Sequence, residues 1–181
     1  MEALIIVDVQ NDFCPGGALP APEANEIIPV INKLMEKFDV VVASRDVHPS
    51  DTIHFDKWPP HCIEGTRGAL FHPDLNITRI QKGFHKGTGN IDDGYSAFEA
   101  TNENLLDYLM SKKVSDVYIT GLTTEYCVKN TALDAVKNGL NTWLVTDAIA
   151  AVEPGSDNET DALDEMKKAG IRFIESESKC C

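Results

Sequence analysis

Along this chain, short apolar runs alternate with longer segments whose apolar positions recur every three or four residues. Leu4 to Val9 (LIIVDV) is almost wholly apolar and rich in β-branched side chains, the pattern of a strand buried on both faces of a parallel sheet. From Pro22 to Phe38, the residues Ile27, Ile28, Ile31, Leu34 and Met35 fall at helical spacing. Pro22 stands near the start, where a missing N–H costs nothing, and Pro29 leaves the first turn undetermined. A strand follows at Val40 to Ala43. The alternation returns with a helix near Asn102 to Lys112, a strand at Val117 to Thr120 and a helix from Thr124 to Asn138 closed by Gly139. After it come a strand at Thr142 to Val145, a helix from Glu159 to Lys168 ended by Gly170, and a strand at Arg172 to Ile174. Strand and helix repeated at this length predict a single-domain, three-layer α/β fold over residues 1–181, with a parallel central sheet flanked by helices.

The alternation breaks between Ser44 and Ala100. That block carries all five histidines (His48, His54, His61, His72 and His85), several Gly and Pro, and only Ile77 to Gln81 as a candidate strand. Loops of this length in a compact domain are usually functional. In open parallel sheets ligands bind beyond the carboxyl ends of the strands, and the block starts where the Val40 strand ends, so it is expected to overlie the active site.

Composition narrows the function classes. With 16 Lys+Arg against 29 Asp+Glu, the formal net charge of −13 argues against nucleic-acid binding. A hydrophobic fraction of 43% is enough for a real core. No stretch approaches the roughly 20 apolar residues of a membrane span, and the opening Met1-Glu2-Ala3-Leu4 lacks the order of a signal peptide, which predicts a cytoplasmic protein with no membrane partner. The cysteines, Cys14, Cys62, Cys127, Cys180 and Cys181, are odd in number and without CxxC spacing, and read as reduced thiols. The sequence neither requires nor excludes a homo-oligomer.

Three sets of residues stand out chemically. Asp8 lies near the carboxyl end of a buried strand, where a carboxylate either caps the next turn or does chemistry. Cys127 closes Gly121-Leu122-Thr123-Thr124-Glu125-Tyr126-Cys127, directly after a strand and in the first turn of a helix. There the helix dipole favours a thiolate, although a lone cysteine is more often a small buried hydrophobe. Asp46-Val47-His48 together with His61 offers one carboxylate and two imidazoles, a set suited to Zn, Fe or Mn, while a D-x-H pair by itself is more often ordinary loop. No GxGxxG follows the first strand, which argues against dinucleotide redox chemistry.

Taken in order, Val7-Asp8-Val9-Gln10-Asn11-Asp12-Phe13, Arg45-Asp46-Val47-His48-Pro49, Trp58-Pro59-Pro60-His61-Cys62, Lys86-Gly87-Thr88, Tyr95-Ser96-Ala97-Phe98, and Gly121 to Cys127 with Thr131 to Ala135 resemble the nicotinamidase/pyrazinamidase family of isochorismatase-like hydrolases. The resemblance covers residues 4 to about 150; beyond Ala151 it is only a generic helix and strand. It implies a triad of Cys127 as nucleophile, Asp8 as general base and acid, and a lysine. Lys82 and Lys86 both precede a glycine, and Lys86 is chosen because its distance to Tyr95-Ser96 fits the family spacing, whereas Lys82 would need an insertion. The resemblance further implies an oxyanion site at the backbone N–H groups of Thr123 and Cys127, and a cis peptide bond between Leu122 and Thr123. It places Phe13, Trp58, Tyr95 and Leu122 around the substrate, and a divalent metal, zinc first with iron or manganese as alternatives, on Asp46, His48 and His61, where it would bind the ring nitrogen directly or through water.

The implied function is hydrolysis of nicotinamide to nicotinate and ammonia in NAD salvage, with pyrazinamide as an adventitious substrate. Another amide or C–N hydrolase of the same superfamily, acting on carbamoyl, ureido or maleamate-type substrates, is the main alternative; such relatives generally lack the D-x-H plus WPPH set. A non-catalytic domain would be expected to lose the nucleophile. The chain also departs from the family pattern. The His48 to His61 stretch is short, a fourth metal ligand is open between His54 and Asp51, Thr123 stands where alanine is commoner, and Cys180-Cys181 has no counterpart.

Overall fold

The computed structural model describes residues 1–179; Cys180 and Cys181 lie outside them. Six strands form one parallel sheet: β1 (Glu2–Val7), β2 (Val40–Asp46), β3 (Lys82–Lys86), β4 (Asp116–Leu122), β5 (Asn141–Ala150) and β6 (Arg172–Ile174), in the order β3-β2-β1-β4-β5-β6. Helices α1 (Ala24–Leu34), α2 (Leu105–Ser111), α3 (Lys129–Lys137) and α4 (Asp157–Lys168) cover its faces. The twofold period of the strands divides the core in two. Leu4 and Ile6 of β1, with Val41 and Ala43 of β2, meet Ile27, Ile28, Ile31 and Leu34 of α1. Ala3, Ile5 and Val7 point the other way, into a core shared with Leu105 and Leu109 of α2, Ala132 and Ala135 of α3 and Met166 of α4. The doubly buried reading of the first strand holds, and each such Leu or Ile contributes about 1.5–3 kcal/mol by leaving water. Among the described residues no helix is long and apolar enough to cross a membrane.

Four boundaries differ from expectation. The Ile77 to Gln81 strand does not form: Ile77–Arg79 is a 3-10 turn, Ile77 is 56% exposed, and the strand is Lys82–Lys86. As an edge strand with only β2 beside it, β3 tolerates Lys, Gly and His, which hid it from an apolar pattern. β1 stops at Val7 because Asp8 takes φ +48°, a left-handed conformation that turns the chain out of the sheet. The helix expected from Thr124 opens as a π-helical turn, Thr124–Val128, and becomes α-helical only at Lys129. Helix α4 starts earlier than expected, at Asp157, because the Ser156 side chain accepts from the Glu159 N–H as a cap.

Strand order reverses between β1 and β4, so crossovers leave the sheet in opposite directions there and open a crevice at the carboxyl ends. Asp8 follows β1, Asp46 closes β2, Lys86 closes β3 and Cys127 follows β4. All four therefore reach the same end of the sheet.

Candidate active site and metal cluster

Register brings the charges together. Asp46 and Lys86 are Cα partners across β2 and β3. Gln10 fixes that corner by accepting from the Asp46 N–H and donating to the Asp46 and Ala69 carbonyls, at 2.8, 2.8 and 2.9 Å. The Lys86 ammonium is fully buried, 2.7 Å from Asp8 Oδ2 and 3.4 Å from Cys127 Sγ. It also donates to Asp46 Oδ1 and, at 2.5 Å, to the Gly94 carbonyl. Asp8 Oδ1 accepts from the Ser44 hydroxyl at 2.7 Å, whereas Oδ2 is paired with Lys86 only by charge and receives no aligned hydrogen bond. Lys82, the other candidate, sits at the opposite end of β3 in a surface ion pair with Glu103.

Burial sets the protonation tendencies. It pushes the Asp8 carboxyl above its usual range, with Lys86 opposing, and pushes the Cys127 thiol well up despite the same ammonium. The expected stabilisation of a resting thiolate by the helix start is thus outweighed by desolvation, and Cys127 rests as a thiol. For Lys86, burial works against the charge, but Asp46 and Asp8 outweigh it and hold the ammonium well above its usual range. Burial also works to raise Asp46, and Lys86 reverses the direction and keeps it ionised.

Beside this group lie three buried imidazoles. His48, His54 and His61 have ligand atoms within 4.8 Å of one another, and Asp46 Oδ2 is 3.6 Å from His48 Nε2 and 4.0 Å from His61 Nε2. Each ring places Nδ1 on an acceptor: the Gly87 carbonyl at 2.9 Å for His48, the Pro59 carbonyl at 2.7 Å for His61 and Asp92 Oδ1 at 3.0 Å for His54. Neither a carbonyl nor the ionised Asp92 carboxylate can donate, so Nδ1 carries the proton and the Nε2 lone pairs face inward. His48 Nε2 is buried with no hydrogen-bond partner. Three imidazoles and one carboxylate around an orphaned nitrogen fit a divalent cation of the zinc type. Burial holds the pKa values of His54 and His61 below the usual histidine range, which favours their neutral form. Of the two candidates for a fourth ligand, His54 joins the cluster and Asp51 is exposed. Gly87 makes this packing feasible: at φ +65° it is left-handed, and a Cβ there would lie 2.4 Å from His48 Cε1.

Between the two groups opens a narrow pocket lined by Phe13, Trp58 and Tyr95 together with Cys127 and Thr123. The Leu122–Thr123 peptide is cis, as the resemblance implies. The Thr123 carbonyl accepts from the N–H groups of Tyr126 and Val128, both at 3.1 Å, and passes over that of Cys127 between them. Leu122 differs from expectation: its side chain is fully buried in the core and lies outside the pocket walls. The sequence matches the isochorismatase domain over residues 2–178.

The chain belongs to the isochorismatase family.

It is 40% identical to the nicotinamidase/pyrazinamidase of Mycobacterium tuberculosis over 96% of this chain and 98% of that protein. Among solved structures, the pyrazinamidase of Pyrococcus horikoshii in complex with zinc is 43% identical with a TM-score of 0.86, covering 96% of this chain and 98% of that one. PnC1 from L. infantum in complex with nicotinate is 34% identical with a TM-score of 0.91, covering 98% of this chain and 94% of that one.

Sequence reasoning missed several neighbours of the site. Tyr126 packs edge-on against Trp58, with ring centroids 4.8 Å apart, and Leu19 and Val152 complete the pocket. Tyr126 lies inside the quoted Gly121 to Cys127 motif, so its place was findable. Val152 came from the segment read as generic. It is held there by Glu125, a buried carboxylate accepting from the Val152 and Glu153 N–H groups at 3.2 and 3.0 Å.

Proposed function

We propose that this chain hydrolyses nicotinamide to nicotinate and ammonia, with pyrazinamide as a second substrate, through a thioester on Cys127. The observation that carries this reading is the Lys86 ammonium wedged between Asp8 and Cys127, at the foot of an aromatic pocket whose other side is the imidazole cluster. Amidohydrolase relatives covering almost the whole chain support it.

A carboxamide is a poor electrophile, so the site must create a thiolate only when it is used. As Sγ bonds to the amide carbon, its proton passes to Asp8, whose Oδ2 is without an aligned donor and whose affinity for a proton is raised by burial. Lys86 neutralises the charge moving between them. The carbonyl oxygen becomes an oxyanion that accepts from the Cys127 and Thr123 N–H groups. Asp8 then protonates the amide nitrogen, the C–N bond breaks and ammonia departs. A water gives its proton to Asp8 as its oxygen attacks the thioester, the C–S bond breaks, and the returning proton restores the thiol. Asp46, His48, His54 and His61 would hold a divalent cation, zinc by its donor set, which would supply an electrophile for the pyridine nitrogen and so orient the ring. Phe13, Trp58 and Tyr95 confine the flat ring. The free, buried thiols of Cys14, Cys62 and Cys127 suit a reducing cytoplasm.

The test is ammonia release from nicotinamide by the purified chain, beside Cys127→Ala and a panel of carbamoyl and maleamate-type amides. Turnover of nicotinamide that disappears in Cys127→Ala is expected. Silence on nicotinamide with turnover of another amide would keep the triad and move the substrate.

A further inference from the structure

Asp92 stands outside the motifs that carry the family resemblance, yet its carboxylate holds together the two halves of the site. Oδ1 accepts from His54 Nδ1 at 3.0 Å and from the Tyr95 hydroxyl at 2.8 Å. The Tyr95 oxygen in turn accepts from Trp58 Nε1 at 3.0 Å. Oδ2 pairs with the ammonium of Lys57, at the rim. A single oxygen thus terminates two chains of donors: one from the imidazole cluster, and one running through both half-buried aromatic walls, Trp58 and Tyr95. Trp58 and the rings of His54 and Tyr95 are also in contact, with centroids 6.4 and 5.6 Å from His54.

We propose that Asp92 is a positioning residue that sets the His54 ring for the cation and the Tyr95–Trp58 wall for the substrate through the same oxygen. This rests on the function proposed above. A buried imidazole can present Nε2 to a cation only if Nδ1 keeps its proton, and an acceptor fixed beside Nδ1 enforces both tautomer and ring orientation. For His48 and His61 that acceptor is a backbone carbonyl, set by the fold itself. For His54 it is a side chain that also carries the aromatic wall. Cation affinity and substrate affinity are therefore coupled through Asp92, whereas Tyr95 and Trp58 act on the substrate alone.

The experiment measures two quantities on the full chain and its variants: the Zn²⁺ dissociation constant of the metal-stripped protein, by competition with a chromophoric chelator, and the kcat and KM for nicotinamide of the zinc-loaded protein. Asp92→Ala is expected to weaken Zn²⁺ about 10–100-fold, the usual cost of losing an outer acceptor, and to raise KM. Asp92→Asn keeps an acceptor oxygen at the Oδ1 position and is expected to stay within about threefold of the parent for Zn²⁺. Tyr95→Phe is expected to raise KM while leaving the Zn²⁺ constant within about twofold. An unchanged Zn²⁺ constant in Asp92→Ala overturns the proposal, as does an equal loss in Asp92→Asn, which would assign the effect to charge instead of to the acceptor. Should Asp92→Ala fail to fold, Asp92→Asn and Tyr95→Phe decide: a Zn²⁺ constant that moves in Tyr95→Phe as much as KM does overturns it. A parent chain that binds no Zn²⁺ or releases no ammonia from nicotinamide instead overturns the functional reading beneath it.

Discussion

Lys82 and Lys86 lie on one short edge strand, pointing to the same side of the sheet, and their surroundings share almost nothing. Lys82, at the amino end, is 36% exposed and pairs with Glu103 on the surface. Lys86, at the carboxyl end, has no exposed atom and is enclosed by Asp8, Asp46, the Gly94 carbonyl and Cys127. The same side chain is a solvated charge in one place and the hinge of a reactive cluster in the other. What separates them is which end of the strand they occupy: only the carboxyl end faces the reversal of strand order, where loops from four strands converge.

Removing each lysine in turn separates the two environments most strongly. Lys86→Ala is expected to lower kcat/KM by at least about 10³, because it takes the cation from the proton path and leaves two carboxylates facing each other without it. Lys82→Ala is expected to leave kcat/KM within about twofold, since an exposed pair of this kind contributes little to stability and none of it touches the pocket. Steady-state ammonia release from both variants checks the ranking, and a reversal would undo the choice made from spacing.

The limits of reading the sequence follow the same division between strand ends and loops. β1, β2, β4 and β5 were legible because strands covered on both faces must be apolar throughout, and Asp8 and Cys127 were legible as polar or reactive residues where such strands end. β3 was not, because an edge strand carrying two lysines, a glycine and a histidine has no apolar signature. Lys86 was reached only through its spacing to Tyr95. His54 could not be separated from Asp51, because what places it is a hydrogen bond to Asp92, 38 residues away, and no local pattern encodes a contact across two loops. Tyr126 and Val152 were missed because their roles depend on a π-helical turn and on Glu125 holding the segment after β5, both set by tertiary packing.

Gly87, the residue directly after Lys86, belongs to the loop side of the site. Gly87→Ala is expected to weaken Zn²⁺ binding about 10–100-fold, since the new Cβ would overlap His48 and the left-handed backbone disfavours it. The Lys86–Asp8–Cys127 group, carried by strand ends, should keep its place. Chelator competition gives the first quantity, and the rate of Cys127 alkylation by iodoacetamide, within about threefold of the parent, gives the second. Stripping the metal from the parent is a gentler version: KM for nicotinamide is expected to rise about tenfold with a smaller change in kcat, since the cation orients the ring and takes no part in making the nucleophile. Unchanged apparent affinity after stripping would count against an orienting role.

The smallest effect lies at a third lysine, intermediate between the other two. Lys179 reaches back from the carboxyl end of the described chain to Glu2 Oε2 at 2.5 Å and the Tyr118 hydroxyl at 3.1 Å, with its own side chain 12% exposed and that of Glu2 44% exposed. The Lys179 hydrogen bond draws the Glu2 carboxyl below its usual 4.5, against the opposing pull of burial. Because the folded form then binds a proton less readily than the unfolded one, the contribution is fully present above about pH 4.5 and is lost as pH falls through the lower folded value. On the Lys179 side burial opposes the charge, yet Glu2 and Tyr118 raise its pKa overall, so its contribution is present below about pH 10.5 and is lost as pH climbs through the higher folded value. Glu2→Gln is therefore expected to cost less than about 1 kcal/mol at pH 7 in urea unfolding, a cost that shrinks as pH falls below about 4.5 through the lower folded value. A loss at pH 7 comparable to that of a buried pair would mean that Lys179 behaves like Lys86, and that burial at the sheet's carboxyl end is not what divides reactive from structural lysines in this fold.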